Sequence, residues 1–367
     1  MENRFTSLAE RLRLKIQDGA FASTGTFPSE NALVRDFGVS RTTVRRALAE
    51  LQSEGLLRRS QGASTRLTCR SRCASGKIGI LFPDRQHIDV FPVMISELVR
   101  CGSRAGYSFF YGDVEGETSA ERARKMASAV EMLISQRVEG VIFRPIVGEA
   151  FEAANLAALD QLKGSGVPVT LIDSAVRERD GYDVVGIDNV QAGRFVAEHL
   201  LATRRRRIAF LANSLPIGPT SNIRDRMFGV AGAVVSAGLG WSGNSEIPCS
   251  ESDLRGLRRY FRKFHPDAIV CGSDRVARGL LGSLEQLGYG VPDEIAVAGF
   301  DDSRHATAGR IGLTTVRQPF DQIAATAFEC LYRRILHPKT GVQTVNLPIQ
   351  LIVRESTAQA QRKRRRA

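Results

Sequence analysis

The sequence is poor in the features that mark specialised chemistry. No apolar run approaches the roughly 20 residues that a bilayer-spanning helix needs, so no membrane partner is expected. The opening stretch MENRFTSLAE holds no hydrophobic leader segment, and a cytoplasmic location is expected. The six cysteines are scattered at positions 69, 73, 101, 249, 271 and 330. Only the first two lie close together, with no second pair or histidine cluster beside them. They read as free thiols in a reducing compartment, and no metal site is expected. The five histidines, at 87, 199, 265, 305 and 337, fall in no partner pattern. There is no Ser-His-Asp order and no glycine-rich phosphate loop, so the expectation is a non-enzyme with no cofactor.

What is present is ordinary in amount and unusual in distribution. Among 367 residues, 43% are apolar and 25% charged, enough for about two globular domains. The net charge is +12, and it sits at the two ends. Residues 1–76 carry 13 basic and 7 acidic side chains, the last fourteen carry 6 and 1, and the body between them carries 32 and 31. A basic head on a neutral body implies that the head meets a polyanion and the body does something else.

The head reads as three helices and a hairpin. In GVSRTTVRRALAELQSEGLL (38–57), Val44, Ala47, Leu48 and Leu51 recur at helical spacing, leaving the arginines on the opposite arc. Ser40 is a good N-cap, and Gly38 suits the end of the preceding helix, 29–37. A first helix at 6–18 and two short strands within 56–67, around a Gln61–Gly62–Ala63 turn, complete a winged helix-turn-helix over residues 1–68.

The stretch FPSENALVRDFGVSRTTVRRALAELQSEGLLRRSQGAST resembles the DNA-binding domain of GntR-family transcription regulators nearly end to end. The resemblance implies that the start of the third helix enters the major groove of double-stranded DNA. Ser29, which opens the second helix, is expected among the DNA contacts; Ser40, Thr42 and Thr43 would hold phosphates or base edges. Arg41 and Arg45 would read bases, because a guanidinium fork matches the O6 and N7 acceptors of guanine. Arg46, at the edge of that face, suits a phosphate. Gly62 either lets the wing backbone approach the minor groove or serves as a turn glycine. Asn31 stands where many members carry an arginine, which removes one cationic contact.

After a polar linker, 69–76, the pattern changes to short β-rich runs at 78–82, 140–145, 167–173, 184–188, 208–213, 268–273 and 295–301. Helical stretches separate most of them. Buried strands alternating with helices imply α/β architecture with parallel sheets, and the number of runs implies two sheets in two lobes over 77–354. Ligands of such folds bind beyond the carboxyl ends of strands. Polar groups follow several of these runs: Asp84, Ser273 with Asp274, and Asp301 with Asp302. The basic tail, 355–367, reads as disordered.

The motifs VVGIDNVQAGRFVAEHLL, RDRMFGV, PDAIVCGSDRVARGLLGSLEQLG, VPDEIAVAGFDDS and LTTVRQPF resemble, in order, the effector domain of LacI/GalR-type regulators, which is similar to periplasmic sugar-binding proteins. A GntR-type head on such a body is a combination found in arabinose-repressor-type regulators. The resemblance implies an inter-lobe cleft that closes on a small molecule, usually a sugar. Arg226, Asp301 and Gln318 match cleft residues, and Asp84, Ser273 and Asp274 stand at polar cleft positions. Arg226 and Asp301 suit adjacent sugar hydroxyls, and Phe91 or Phe82 would offer a ring face. Asp188 and Asn189 read as crossing and N-cap residues. Arg204 stands where the family usually has glycine, so the loop holding Arg204–Arg207 is expected to be rearranged and solvated.

The expectation is therefore a ligand-responsive transcription regulator, more repressor than activator, binding a palindromic operator as a homodimer. A purine or nucleoside effector is the alternative, and a sugar-acting enzyme a weaker one.

Overall fold

The computed structural model describes residues 8–17, 27–53, 57–58, 66–67, 75–83, 90–146, 148–173, 181–212 and 221–358. Gly62, Asp84, Cys69, Cys73 and residues 359–367 lie outside them.

In the head, α1 (Leu8–Gln17), α2 (Glu30–Phe37) and α3 (Arg41–Ser53) precede a pair of two-residue antiparallel strands, β1 (Leu57–Arg58) and β2 (Arg66–Leu67). Local chemistry sets the boundaries. The Ser29 hydroxyl accepts from the Ala32 amide at 3.2 Å and starts α2. Gly38, at φ 64°, ends that helix in the left-handed conformation, its N–H donating to the Val34 carbonyl. The Ser40 hydroxyl then accepts from the Thr43 amide at 3.1 Å and starts α3. Leu12, Leu33, Val44, Leu48 and Leu51 are buried together, so the apolar stripe read from the sequence is the core of this unit.

The body holds two sheets. One has six parallel strands in the order β12-β7-β6-β5-β3-β4; the other has five in the order β13-β11-β10-β9-β8, with β13 antiparallel at its edge. The first lobe takes β3 (Lys77–Leu81), α4 (Phe91–Arg104), β4 (Ser108–Tyr111), α5 (Ser119–Ser135), β5 (Gly140–Phe143), α6 (Glu152–Gly164), β6 (Val169–Ile172) and β7 (Asp183–Gly186). The chain then builds the second lobe from α7 (Asn189–Ala202), β8 (Ile208–Leu211), α8 (Ser221–Ser236), α9 (Leu254–Phe264), β9 (Ala268–Cys271), α10 (Asp274–Leu287), β10 (Ala296–Asp301) and β11 (Thr314–Arg317). Helix α11 (Phe320–Leu336) returns to pack on the first sheet, β12 (Thr344–Asn346) joins that sheet, and β13 (Gln350–Ile352) returns to the second. Three crossings, at 187–188, 318–319 and 347–349, therefore link the lobes.

Buried charge secures the return of α11. Asp183 at the start of β7 is fully buried and accepts from Arg334 Nε at 2.8 Å and Nη2 at 2.9 Å, and from the Gln343 amide at 2.8 Å. A bidentate guanidinium and a backbone donor satisfy a carboxylate that would be costly to bury alone.

The boundary at 354 is corrected by the structure. Ser356 and Thr357 are fully buried. Ser356 Oγ accepts from the Thr314 amide at 2.8 Å and donates to the Val297 carbonyl at 2.6 Å, while Thr357 Oγ1 bonds Thr314 Oγ1 and His199 Nε2, each at 2.7 Å. The lobe thus extends through these residues, because their hydroxyls satisfy strand groups inside it.

The arginine loop is also corrected. Arg204 keeps the left-handed backbone at φ 66°, so the turn survives without glycine at a cost of about 1–2 kcal/mol. The loop is not merely solvated. Arg205 Nη1 donates to the Asp267 carbonyl at 3.1 Å and Nη2 to the Pro292 carbonyl, while the Asp267 carboxylate accepts from the Arg206 and Arg207 amides at 2.9–3.0 Å.

Helices α7 and α8 touch through glycine. A Cβ on Gly193 would lie 1.9 Å from the Arg226 carbonyl oxygen, and one on Gly229 would lie 2.0 Å from that of Val190. Backbone cannot yield there as a side-chain tip can. Gly193→Ala is expected to push the helices apart and cost about 1–3 kcal/mol or more of stability, read as a lower urea midpoint. An unchanged midpoint would contradict the close approach.

Candidate functional site

Three strand ends and one helix bring four charged side chains to the space between the lobes. In the first lobe Arg144 follows β5 and Asp173 follows β6, and Arg144 Nε donates to Asp173 Oδ2 at 3.0 Å. In the second, Arg226 of α8 lies with Nη1 3.6 Å from Oδ1 of Asp301, the last residue of β10. Both arginines are nearly fully buried. Arg226 is held on every side: Nε donates to Asn189 Oδ1 at 2.9 Å, Nη1 to the Gly272 carbonyl at 2.8 Å, and its guanidinium lies 4.7 Å from the centre of the Phe300 ring.

Asp301 is the meeting point. Its Oδ1 also accepts from Gln318 Nε2 at 2.7 Å. Burial pushes its carboxyl up to about 6, with Arg226 opposing and Asp173, Gln318 and Arg144 also contributing. Charges from both lobes thus act on one carboxylate. Asp301 and Asp302 both have positive φ, 110° and 50°, strained for aspartate and held by their partners. Asp302 accepts from Arg317 Nε and Arg354 Nη2, each at 2.6 Å. Gln318 Oε1 is buried and has no hydrogen-bond partner among the described residues.

The structure brings together Arg226, Asp301 and Gln318, while three other residues read as cleft positions are engaged by protein. Asp274 is fully buried, its oxygens engaged by the Thr315 hydroxyl at 2.6 Å and the Ser303 amide at 2.8 Å. It ties α10 to β11 and to the loop after β10, and is enclosed by protein. Ser273 is the N-cap of α10, accepting from the Val276 amide. Phe91 is buried with its ring 5.3 Å from that of Phe82, also buried, and 5.3 Å from the Arg144 guanidinium. Its faces are taken by protein, so it acts as a platform for Arg144. Asn189 is the opposite case: it is buried and holds Arg226. Arg144 and Asp173 escaped the sequence reading although each directly follows a strand, β5 and β6; testing every strand end for charge finds both.

Burial, reinforced by the Asp301 carboxylate, also pushes Asp274 up to about 8. Carboxyls raised in the folded state bind more protons folded than unfolded, so their effect is destabilising as they ionise. Stability is expected to fall as pH rises from about 4, the unfolded value, to about 8. Asp274→Asn should flatten that slope in denaturation curves taken at each pH. An equal slope in the variant would show that Asp274 does not titrate there.

In the head, Arg41, Thr42, Thr43, Arg45 and Arg46 are exposed on one side of α3, with Ser40 before it and Asn31 exposed on α2. Arg45 Nε donates to Glu30 Oε2 at 3.1 Å. An exposed pair of this kind contributes about 0–1 kcal/mol, enough to orient the arginine without locking it. Ser40 Oγ and Thr43 Oγ1 bond each other at 2.8 Å, so these hydroxyls also serve the helix start.

Among the described residues no helix is long and apolar enough to cross a membrane, and no group of three or more His, Cys, Asp and Glu is arranged to hold a metal.

Comparison with known proteins matches both parts. Residues 6–67 match the family described as bacterial regulatory proteins, gntR family, and residues 197–357 match the periplasmic binding protein-like domain. The chain is 27% identical over 381 residues to the arabinose metabolism transcriptional repressor of Halalkalibacterium halodurans, covering 98% of each chain. Among solved structures it is similar to a transcription regulator GntR from Chromobacterium violaceum, with a TM-score of 0.63 at 25% identity over 77% of this chain and 99% of that one. It shares its fold with the transcriptional regulator CelR–cellobiose complex, with a TM-score of 0.65 at 22% identity over 94% and 99%.

Proposed function

From the premise that this chain joins a GntR-type helix-turn-helix domain to a periplasmic-binding-protein-like domain, we propose that it is a transcription repressor whose hold on operator DNA is set by a small molecule in the inter-lobe cleft. The observation that carries this reading is the coexistence of an exposed, arginine-bearing α3 with a buried charge cluster at the strand ends of a separate two-lobed body. The relative from Halalkalibacterium halodurans, alike along nearly its whole length, bears a repressor's name.

The chemistry of the cleft favours an uncharged polyhydroxylated effector, a sugar. Among the described residues its cations and anions are paired, Arg144 with Asp173 and Arg226 with Asp301. A charged ligand would leave an unpaired charge inside. A sugar adds donors and acceptors without net charge, and the unpartnered Gln318 Oε1 accepts one hydroxyl. The action is that of a regulator rather than a catalyst. One head reads one half-site, so the working unit is a homodimer on a palindrome, in the cytoplasm where the operator lies.

A thermal-shift screen of the full chain against pentoses, hexoses, disaccharides, sugar phosphates and nucleosides tests the effector class. A raised midpoint with a neutral sugar supports the reading. Stabilisation by sugar phosphates or nucleosides alone would overturn the sugar assignment and leave the regulator in place.

A further inference from the structure

We propose that the exposed face of α9 is a second, sequence-independent binding surface for the phosphate backbone of duplex DNA. Arg255, Arg258, Arg259, Arg262 and Lys263 are all exposed and line a surface groove of about 370 Å³. The opposite face, with Leu257, Tyr260 and Phe261, is buried in the second lobe. The spacing i, i+3, i+4, i+7, i+8 puts all five cations on one side of a single helix.

The arrangement works against the helix that carries it. Asp253 caps the helix, its carboxylate accepting from the Gly256 amide at 2.9 Å, but the first turn itself has no acidic residue and holds Arg255, where the helix dipole is positive. The i,i+4 pairs 255/259, 258/262 and 259/263 are all like-charged and repel. Arg262 and Lys263, in the last turn, do suit the dipole; the other three do not. No salt bridge among the described residues relieves them. A solvated helix face kept only for solubility would mix signs, as the near-neutral body does elsewhere. Five cations in nine positions, none in a salt bridge among the described residues, call for an anion from outside.

The kind of anion follows from what the face lacks. It offers no exposed aromatic or aliphatic anchor between the charges, and protein interfaces draw most of their affinity from such buried anchors. A phosphate backbone needs none, since affinity there comes from counterion release and guanidinium forks. Absence of exposed rings also disfavours single strands, which stack on aromatics. The surface belongs to the second lobe, whereas the head is joined to the first through β3, so this contact is separate from the half-site reading of α3. The inference extends the regulator reading and rests on it.

The test uses the full chain and its quadruple variant Arg255→Gln, Arg258→Gln, Arg259→Gln, Arg262→Gln, with unchanged circular dichroism as the folding control. Affinity for a random-sequence 40-base-pair duplex is measured from low to moderate salt, in both the native head and the Arg41→Ala/Arg45→Ala head. At about 0.9 per phosphate contact, the slope of log affinity against log salt should fall by about 3, with at least a tenfold loss of affinity near 0.1 M salt. The residual duplex binding of the head-altered chain should vanish with the α9 changes. Unchanged slopes in the α9 variant, with binding lost only through the head changes, would overturn the inference and leave the regulator reading intact. So would loss of poly-glutamate binding in the α9 variant with duplex binding kept, which would assign the face to an acidic protein. If neither set of changes alters duplex binding, both readings fall.

Discussion

Arg45→Ala will lower affinity for the specific operator by about 30-fold to 10⁴-fold while leaving effector binding unchanged. A bidentate arginine–guanine contact contributes about 1–3 kcal/mol, and a symmetric dimer makes it twice. Binding to random duplex should fall far less, because phosphate contacts supply it. The folded protein should hardly notice. Arg45 is exposed and pairs with Glu30 at 3.1 Å, so stability should change by less than about 1 kcal/mol. Electrophoretic or anisotropy titrations with specific and random duplexes separate the cases. An equal loss on both duplexes would make Arg45 a phosphate contact, and no loss on either would remove it from the interface.

Arg226→Ala is expected to do the converse, at a larger cost. The substitution removes the donor to Gly272 and Asn189, the cation over Phe300, and the counter-charge of Asp301. Breaking a buried pair from one side costs about 3–5 kcal/mol, because the remaining charge stays buried. Effector affinity should drop below detection in calorimetry, while the folded fraction binds operator DNA as before. The deficit has a signature: without Arg226 the Asp301 carboxyl rises further, so the loss of stability should be smaller at pH 5 than at pH 8. Adding Asp301→Asn should recover part of the stability without restoring effector binding. A variant that unfolds no more easily than the native chain would contradict the burial of this pair; one that loses DNA and effector binding equally while folded would contradict the division of labour.

Much of this architecture is written in short-range pattern. The α3 stripe, the Ser29 and Ser40 caps and Gly38 fix the head, because each acts within four residues. The seven apolar runs locate β3, β5 to β7 and β8 to β10, because strands buried on both faces carry continuous apolar residues. Strands β4, β12 and β13 are half-exposed edges with weak patterns, and β11 hides behind Thr314 and Thr315, whose hydroxyls find buried partners 40 or more residues away. The same reason explains the misjudged site residues. Asp274 has the same polarity whether it faces a ligand or Thr315, and only the fold decides. Arg204 shows a local rule overridden: the surrounding hydrogen bonds of Asp267 and Arg205 sustain a backbone that arginine alone disfavours.

The cleft and the head are expected to share one coupling free energy. It is tested by measuring the affinity of the stabilising sugar for the free protein and for the protein saturated with operator, and operator affinity with and without that sugar. The account predicts one common factor in both directions, about 5- to 150-fold, as a coupling of about 1–3 kcal/mol requires. Affinities for sugar that are the same with and without operator would contradict it.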